Sequence, residues 1–375
     1  MKKMITRRQF MAAAGVVAAA SALTACGGSS ASTAASSAAG SAAASGSTIK
    51  VGVMGPLTGD ASVYGQAVVN GASLYMKQVN ADGGVNGKQL EIITMDEQGD
   101  ETQAVTCFTK MVDQGITALV GDVTTAPTLA VAAESADYNM PMVTASATAE
   151  AVTYDAETDT VNGNVFRACF IDPFQGQKMA DYAVEKLGAK TAAIFYETGS
   201  DYSEGLKNAF VVEAERMGLE IVDTEAFATG DKDFKAQMTN IAAKAPDVVF
   251  APIYYAEAGL AISAARAVGC EATFLGGDGF GSVKDYASAE DLEGAVYCSG
   301  YAPGTESVAQ FEKDYCSTFD VDAVPNMFAP LAYDAAMIMT YGLQAAEDQG
   351  LTAGTDEYKQ AVIDAIASGT IDGIT

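Results

Sequence analysis

Two hydroxyl-rich segments follow two short apolar runs in the first half of the chain. Thr124-Thr125-Ala126-Pro127 comes after a run that ends at Gly121, and Ser146-Ala147-Thr148 comes after a run that ends near Thr144. If both runs are parallel strands, the two segments are strand-to-helix turns on the same edge of one sheet. Hydroxyls, free backbone N–H groups and helix N-termini in such turns can bind a carboxylate. The same residues are also ordinary helix N-caps, so the residues alone leave both interpretations open.

An acidic residue in the second half of the chain could supply the opposite charge. Asp278 follows the apolar run 273–276 and lies between Gly277 and Gly279, which allow a ligand to approach the backbone closely. A carboxylate here could bind an ammonium group, which would complete a site for a zwitterionic amino acid enclosed in a cleft. An Asp between glycines is also common in simple turns. The glycine run matches neither the dinucleotide-binding nor the P-loop fingerprint.

Three tyrosines fall just after predicted strands, on loops expected to face the same cleft: Tyr64, Tyr202 and Tyr254. Their rings could cover a ligand side chain while their hydroxyls remain free for hydrogen bonds. The chain contains 16 tyrosines, so any one of them taken at random is more often a packing residue. Tyr255, Glu257 and Phe280 are weaker candidates for the same cleft.

The composition excludes several kinds of catalytic site. The chain contains no histidine, which removes Ser-His and Cys-His nucleophiles and His-containing zinc sites. A hydrolase that uses two carboxylates stays possible, but with 48 acidic residues some pairs occur by chance, so a pair by itself is weak evidence for catalysis. The chain is therefore predicted not to be an enzyme and to need neither cofactor nor metal. Its net charge of −27 argues against nucleic acid as a partner.

The cysteines are too widely spaced to form a metal knuckle or a redox motif. Beyond Cys26 there are five: Cys107, Cys169, Cys270, Cys298 and Cys316. No C-x-x-C pair occurs among them, and an odd count leaves at least one thiol free. Any disulfide pairing among the others stays open.

The first 25 residues have the three parts of an export signal: four basic residues, an apolar run over 10–22 and a small-residue exit. Leu23-Thr24-Ala25-Cys26 resembles a bacterial lipobox, so we predict a lipoprotein signal peptide at 1–25 and a lipid on Cys26. Residues 6–11 also resemble a twin-arginine signal, and both export routes stay open. Residues 27–47 contain only Gly, Ser, Ala and Thr, so 26–47 is predicted to be the lipidated Cys and a flexible tether.

From residue 48 onward, short β-rich apolar runs alternate with stretches of helical periodicity. The runs predict strands at 49–54, 90–95, 118–121, 142–144, 165–168, 191–196, 220–227, 247–251, 273–276 and 295–299. The stretches predict helices at 64–80, 101–114, 127–138, 174–187, 202–217, 234–244, 256–268, 283–287, 306–319, 328–346 and 356–367. Such alternation is typical of an α/β fold with parallel sheets covered on both faces.

The alternation starts again near residue 165, which predicts two doubly wound lobes rather than one. The last three helices have few strands among them, so they are expected to return and cover the first lobe. The predicted division is an N-terminal lobe of 48–167 plus 301–375 and a C-terminal lobe of 168–300.

At this point several segments resemble the type I periplasmic solute-binding proteins of the leucine/isoleucine/valine-binding family. The resemblance extends over residues 49–373, and its specificity lies in the order and spacing of the segments. They are Gly55-Pro56-Leu57-Thr58-Gly59 with Tyr64-Gly65, Asn80-Ala81-Asp82-Gly83-Gly84-Val85-Asn86-Gly87, Val165-Phe166-Arg167, Gly230-Asp231-Lys232-Asp233-Phe234 and Gly276-Gly277-Asp278-Gly279.

The resemblance implies two Rossmann-like lobes joined by a hinge, with solute bound in the cleft between them. It places the family's carboxylate-binding positions at Thr125, Ser146 and Thr148 and its ammonium-binding position at Asp278, where the family often has glutamate. It also matches Tyr64, Tyr202 and Tyr254 to aromatic positions of the cleft. The family usually continues about twenty residues beyond a sequence like Gly373-Ile374-Thr375, with final strands and a third crossing between the lobes, so this sequence is expected to be truncated and its hinge loosened.

In function, the resemblance implies an extracytoplasmic lipoprotein, anchored by Cys26, that delivers an amino acid to the permease subunits of an ABC transporter. A monomer is expected. Branched-chain amino acids are the family default, although relatives bind amides, urea, aromatic acids and other carboxylates. A ligand sensor of the same fold that signals to a membrane receptor is the alternative, and the sequence does not separate the two.

Overall fold

The computed structural model describes residues 48–156 and 158–375. The predicted signal peptide and tether, including Cys26, lie outside the described residues. The strands within the described part are β1 (Ile49–Gly55), β2 (Leu90–Asp96), β3 (Ala118–Val120), β4 (Met142–Thr144), β5 (Tyr154–Asp155), β6 (Thr160–Val161), β7 (Val165–Arg167), β8 (Thr191–Thr198), β9 (Glu220–Ala228), β10 (Val248–Phe250), β11 (Thr273–Gly276) and β12 (Val296–Tyr297).

The α-helices of the described part cover the faces of the sheets. They are α1 (Ser62–Ala81), α2 (Glu101–Asp113), α3 (Thr125–Ala136), α4 (Asp172–Glu185), α5 (Asp201–Met217), α6 (Lys235–Lys244), α7 (Tyr255–Ala267), α8 (Ala309–Phe319), α9 (Phe328–Asp348) and α10 (Asp356–Ser368).

The longer strands form two parallel sheets, one in each lobe. The first sheet has the order β2-β1-β3-β4-β7 and the second has the order β12-β11-β10-β8-β9. In both sheets, the second strand along the chain lies on one side of the first strand and the later strands lie on the other side. Open α/β sheets bind ligands at such a switch point, beyond the carboxyl ends of their strands. The fold is therefore α/β with two Rossmann-like lobes, as predicted.

Each sheet is buried on both faces because its strands are apolar on both faces. In the first lobe, Val51 and Val53 pack with α1, α9 and α10, whereas Met54 and Leu119 pack on the opposite face with α2 and α3. In the second lobe, one face packs on α6 and α7, and the other packs on α4 and α5. Parallel sheets need this double cover, since both of their faces exclude water.

Local signals fix where several helices begin and end. The side chain of Asp100 accepts a hydrogen bond from Gln103 N at 2.8 Å, which caps α2. Helix α5 ends at Gly218, whose φ of 73° lies in the left-handed region. On α1, Gly71 allows α9 to approach so closely that a Cβ at this position would overlap the carbonyl oxygen of Ala329.

Two parts of the local prediction are wrong. The helix predicted at 283–287 is only a three-residue 3₁₀ turn, Val283–Asp285. The antiparallel hairpin of β5 and β6 was not predicted, because its strands have two residues each and carry no periodic signal.

Within the described residues, no helix is long and apolar enough to cross a membrane. The five cysteines of this part are all free thiols, which answers the question of disulfide pairing that the sequence left open.

Candidate functional site

A cavity lies between the two lobes, at the carboxyl ends of both sheets. All seven residues predicted to bind the ligand line it: Tyr64, Thr125, Ser146, Thr148, Tyr202, Tyr254 and Asp278. Val123, Thr124, Gly279 and Phe328 complete the lining. The structure thus brings the predicted residues together around one cavity, while their roles towards a ligand stay predictions.

The hydroxyl-rich turns are connected to each other by hydrogen bonds. Thr144 Oγ1 donates to Asp122 O at 2.7 Å and accepts from Ala147 N at 3.1 Å, which joins the ends of β3 and β4. Ser146 Oγ donates to Val123 O at 2.7 Å. The Ser146 hydroxyl must therefore rotate away from Val123 before it can donate to a ligand carboxylate.

The alternative reading of these turns as plain helix caps is not supported by the geometry of α3. Thr124 occupies the N-cap position with extended backbone, but its side chain makes no capping hydrogen bond. Thr125 begins the helix and is 2% exposed, and Thr148 Oγ1 is buried without a hydrogen-bond partner in the described part of the chain. In this first turn of α3, the backbone N–H of Thr125 hydrogen-bonds to the Tyr254 hydroxyl, and N–H groups at a helix N-terminus are also suited to bind an anion.

Asp278 lies on the opposite wall of the cavity and is 2% exposed. Its Oδ1 accepts hydrogen bonds from the Tyr202 hydroxyl at 2.9 Å and from Gln175 Nε2 at 3.1 Å. Burial raises the pKa of Asp278 to about 6, and these two hydrogen bonds oppose that effect. The carboxyl group is therefore ionised at neutral pH and needs a cation opposite it.

Aromatic rings form the remaining walls. Tyr202 and Tyr254 are stacked with ring centroids 4.8 Å apart, and Tyr64 packs edge-to-face on Phe328 at 4.7 Å. Tyr254 lies directly before α7, as expected for a loop residue. Tyr64 and Tyr202 lie in the first turns of α1 and α5, where the helices predicted at 64–80 and 202–217 begin, so they are helical residues rather than loop residues.

The lobes contact each other at the cavity. The Tyr64 hydroxyl, from the first lobe, donates to Gly279 O at 2.5 Å and accepts from Tyr255 N at 3.2 Å. At the rim, Lys232 Nζ lies 3.0 Å from Asp60 Oδ2 and 2.6 Å from Glu257 Oε1, so it bridges an acid of each lobe.

The weaker candidates do not line the cavity. Tyr255 packs edge-to-face on Tyr64 at 4.7 Å, Glu257 belongs to the ion pair at the rim, and Phe280 is a buried core residue.

The sequence reading missed two polar residues that lie directly behind the cavity wall. Asp172 and Gln175 are both fully or almost fully buried in the first turn of α4, next to Asp278. Their spacing of three places both side chains on one helix face, and two polar residues on an otherwise apolar face are the signal that could have found them.

A second pair of buried acids lies behind the turn that follows β3. Glu97 Oε2 accepts from Gly99 N at 2.5 Å and from Asp100 N at 3.1 Å. Glu97 Oε1 and Asp122 Oδ2 are buried and have no partner donor among the described residues. Burial raises the pKa of Glu97 to about 7 and also raises the pKa of Asp122. The two carboxyl groups therefore share one proton.

Among the described residues, no three acids or cysteines converge on one point. The cavity itself combines a single carboxylate, hydroxyls, helix N–H groups and aromatic faces. This set of groups suits a small zwitterion with an apolar portion better than it suits a cofactor.

The whole described part of the chain resembles known binding proteins. A sequence model of the family described as "Periplasmic binding protein" matches residues 48–375. The chain is 31% identical over 325 residues to a Leu/Ile/Val-binding protein of Rhizobium johnstonii, a match that covers 86% of this chain and 84% of the relative. It is 30% identical over 307 residues to a leucine-, isoleucine-, valine-, threonine- and alanine-binding protein of Pseudomonas aeruginosa, covering 80% and 79% of the two chains.

Solved structures agree with these sequence relatives. The branched-chain amino acid transporter substrate binding protein of Streptococcus pneumoniae, solved in complex with isoleucine, superposes with a TM-score of 0.75 at 31% identity. The superposition covers 84% of this chain and 87% of that protein.

Proposed function

Because this chain belongs to the type I periplasmic binding proteins of the branched-chain amino acid family, we propose that it captures an amino acid in the cleft between its lobes. It then delivers the ligand to the permease subunits of an ABC transporter. Membership of this family also implies an extracytoplasmic location. The family consists of substrate-binding proteins rather than enzymes.

The observation that carries the proposal is the opposition of two kinds of group across one cavity. Asp278 offers a buried carboxylate from the second lobe, and Thr125 and Thr148 offer hydroxyls from the first. An α-amino acid carries an ammonium and a carboxylate on the same carbon, so a single ligand can satisfy both walls only when the lobes are together. Ligand binding thereby favours the form in which the lobes are in contact.

The rest of the lining supports an apolar side chain. Val123, Phe328 and the faces of three tyrosines surround the space between the charged groups. Such walls stabilise a branched aliphatic side chain by removing its surface from water. We therefore take leucine, isoleucine and valine as the first ligands to test, in agreement with the names of the relatives.

The test is a thermal-shift screen of the purified protein with each of the twenty L-amino acids, followed by amides, urea and benzoate. A ligand at 100 times its dissociation constant stabilises the folded protein by about 2.7 kcal/mol. We expect a clear upward shift of Tm with at least one branched-chain amino acid. A folded protein whose Tm responds to none of the amino acids would overturn the proposal.

The anchoring and the lobe boundaries are part of the same proposal. We propose that residues 1–25 are removed, that Cys26 carries the lipid and that 26–47 serves as the tether of a monomer. The lobes consist of 48–167 plus 301–375 and of 168–300. Replacing Cys26 by Ser should release the exported protein from the membrane fraction, and an unchanged membrane fraction would contradict the lipid anchor.

A further inference from the structure

The most unusual polar group near the cleft is the buried carboxyl of Asp172. Asp172 is the first residue of α4 and is 1% exposed. Its backbone N–H donates to Thr148 O at 3.0 Å, which keeps its carboxyl group beside the Thr148 hydroxyl. Asp172 Oδ2 and Thr148 Oγ1 are both buried, yet neither has a well-formed hydrogen bond within the described residues. Because such unpaired atoms are rare, this pair requires an explanation.

Gln175 connects Asp172 to the predicted ammonium site. Gln175 Oε1 accepts from Asp278 N at 2.7 Å, and this bond sets the orientation of the amide. Gln175 Nε2 consequently donates to Asp278 Oδ1 at 3.1 Å and faces Asp172 Oδ1 at 3.4 Å. Two buried carboxyl groups thus share one amide, an arrangement in which ionising both at once is strongly unfavourable.

The hydrogen bonds around the two acids indicate which one carries the charge. Asp278 Oδ1 receives two donors and its carboxyl group borders the cavity, where a ligand ammonium can pair with it. Asp172 receives the 3.4 Å contact from Gln175 and lies beside the Thr148 hydroxyl, which forms no well-shaped hydrogen bond with it, and it does not line the cavity. An ionised carboxylate with so few donors would be very unfavourable in a buried position.

Other charged and titratable groups near Asp172 do not reverse this assignment. Burial raises the pKa of Asp172 well above its ordinary value, and Asp278 adds to this effect. The Thr148 hydroxyl and Arg167 oppose it, but the Arg167 guanidinium is engaged by Ala147 O, Ala149 O, Glu150 O and Thr153 Oγ1. The N-terminus of α4 favours negative charge by less than burial disfavours it. Cys169, Tyr202 and Tyr254 also face the group and are neutral at neutral pH.

The Thr148 hydroxyl has one hydrogen, so it can donate either to Asp172 or to a ligand but not to both. The charge of Asp172 decides between these two directions. If Asp172 were ionised, Thr148 would point its hydrogen at Asp172 and would show only lone pairs to a ligand carboxylate. If Asp172 is neutral, its own O–H donates to Thr148 Oγ1, and the Thr148 hydrogen is free to donate into the cavity.

We propose that the two acids joined by Gln175 have different charges and different tasks. Asp278 is ionised and binds the ligand ammonium, whereas Asp172 is a neutral hydrogen-bond donor that directs the Thr148 hydroxyl towards the ligand carboxylate. Asp172 is thus a positioning residue at the start of α4, acting through Thr148. This inference rests on the proposed function for its ligand but not for the protonation of Asp172.

The protonation is tested without any ligand by infrared difference spectroscopy. The spectrum of the wild-type protein minus that of Asp172→Asn, recorded near neutral pH, should show the carbonyl stretch of a protonated carboxyl group. The corresponding difference for Asp278→Asn should show an ionised carboxylate. A carboxylate band in the Asp172 difference spectrum overturns the inference, whether or not the protein binds amino acids.

The binding role is tested by titration with L-leucine, L-isoleucine and L-valine. Asp172→Asn keeps a neutral donor and should stay within about threefold of the wild-type affinity, whereas Asp172→Ala should lose about tenfold. Asp278→Asn should lose at least about 100-fold. In a Thr148→Val background, the Asp172→Ala effect should disappear, since Asp172 acts through Thr148.

Equal, large losses of affinity in Asp172→Asn and Asp278→Asn would show that Asp172 acts as a charge. This result would overturn the inference about Asp172 and would leave the proposed function standing. A folded wild-type protein that binds none of the amino acids would overturn the proposed function instead, and the infrared result would still decide the charge of Asp172.

Discussion

The hydroxyl of Tyr64 donates a 2.5 Å hydrogen bond to the carbonyl oxygen of Gly279, although the two residues belong to different lobes. The same hydroxyl accepts from Tyr255 N at 3.2 Å, so one side chain of α1 pairs with two backbone groups of the second lobe. Both backbone groups are buried at the cavity. If the lobes separated, each group would lose its hydrogen bond to Tyr64 unless a water molecule replaced the hydroxyl. Tyr64 is therefore both a wall of the cavity and a contact that favours closure.

Replacing Tyr64 by Phe should weaken amino acid binding by about 5- to 30-fold. The change keeps the ring but removes the two cross-lobe hydrogen bonds, a loss of about 1 to 2 kcal/mol. Calorimetric titration measures the affinity, and small-angle scattering with saturating ligand measures closure. The matched control is Tyr341→Phe, at an exposed tyrosine outside the cleft. An affinity equal to that of the wild type would show that the Tyr64 hydroxyl does not favour closure.

Replacing Lys232 by Ala should have a much smaller effect, below about fivefold in affinity. The ion pair of Lys232 with Asp60 joins the two lobes, but both side chains are well exposed to solvent. Exposed pairs contribute about 0 to 1 kcal/mol, and salt screens them. Titrations at low and high ionic strength should converge for the wild type and the variant as salt increases. A large loss that persists in high salt would assign Lys232 a role beyond this pair.

Acid should weaken binding through Asp278. Its pKa is about 6 because of burial, so the carboxylate that pairs with the ligand ammonium is lost as the pH falls below 6. We expect the affinity to fall about tenfold for each further pH unit, and we expect Asp278→Asn to bind weakly at every pH. Titrations over a pH series measure this dependence. Asp285→Asn, at an exposed acid nearby, should retain the wild-type profile, and a flat wild-type profile would contradict the assignment.

Glu97→Gln should make the protein more stable in mildly alkaline solution. Burial raises the pKa of Glu97 from its ordinary 4.5 to about 7 in the folded protein, so the folded state binds more protons than the unfolded state between these values. Stability therefore declines as pH rises through this range. Glutamine resembles the protonated acid, and its amide can donate to Asp122, so the variant should gain on the order of 2 kcal/mol above this range.

Denaturant unfolding at several pH values measures this gain, and a neighbouring acid gives a control of opposite sign. Although burial raises the pKa of Asp96, hydrogen bonds from Thr58, Leu57 and Gln98 lower it on balance. Asp96→Asn should therefore lose stability at neutral pH and lose less in acid. A Glu97→Gln variant whose stability follows the wild-type pH profile would show that the pair holds no shared proton.

The alternation of strands and helices was readable from the sequence because long elements carry strong periodic signals. The strand Met142–Thr144 has the predicted bounds, and α2 differs from its prediction by one residue. The error at 283–287 arises because Gly281 and a left-handed Ser282 precede a turn too short for helical hydrogen bonds to accumulate. Short elements depend on tertiary contacts that a local pattern does not contain.

The site was predicted unevenly for a similar reason. Residues at strand ends, such as Thr125 and Asp278, could be located because the topology of parallel sheets brings strand ends together. The spacing of Asp172 and Gln175 indicates a polar pair on an apolar helix face, but a local pattern gives no sign that the start of α4 packs against the turn after β11. Nor does it show that Glu97 and Asp122, 25 positions apart, meet behind the cavity wall.

The close packing of α9 on α1, at Ala329 and Gly71, has a consequence for the order of events during synthesis. The second sheet is built from one continuous stretch, Thr191–Tyr297, whereas in the first lobe α1, β3 and β4 all pack against α9, which begins only at Phe328. Contacts of such long sequence separation form late. The growing chain therefore carries an uncovered apolar face through most of its translation, and the second lobe is the part able to fold first.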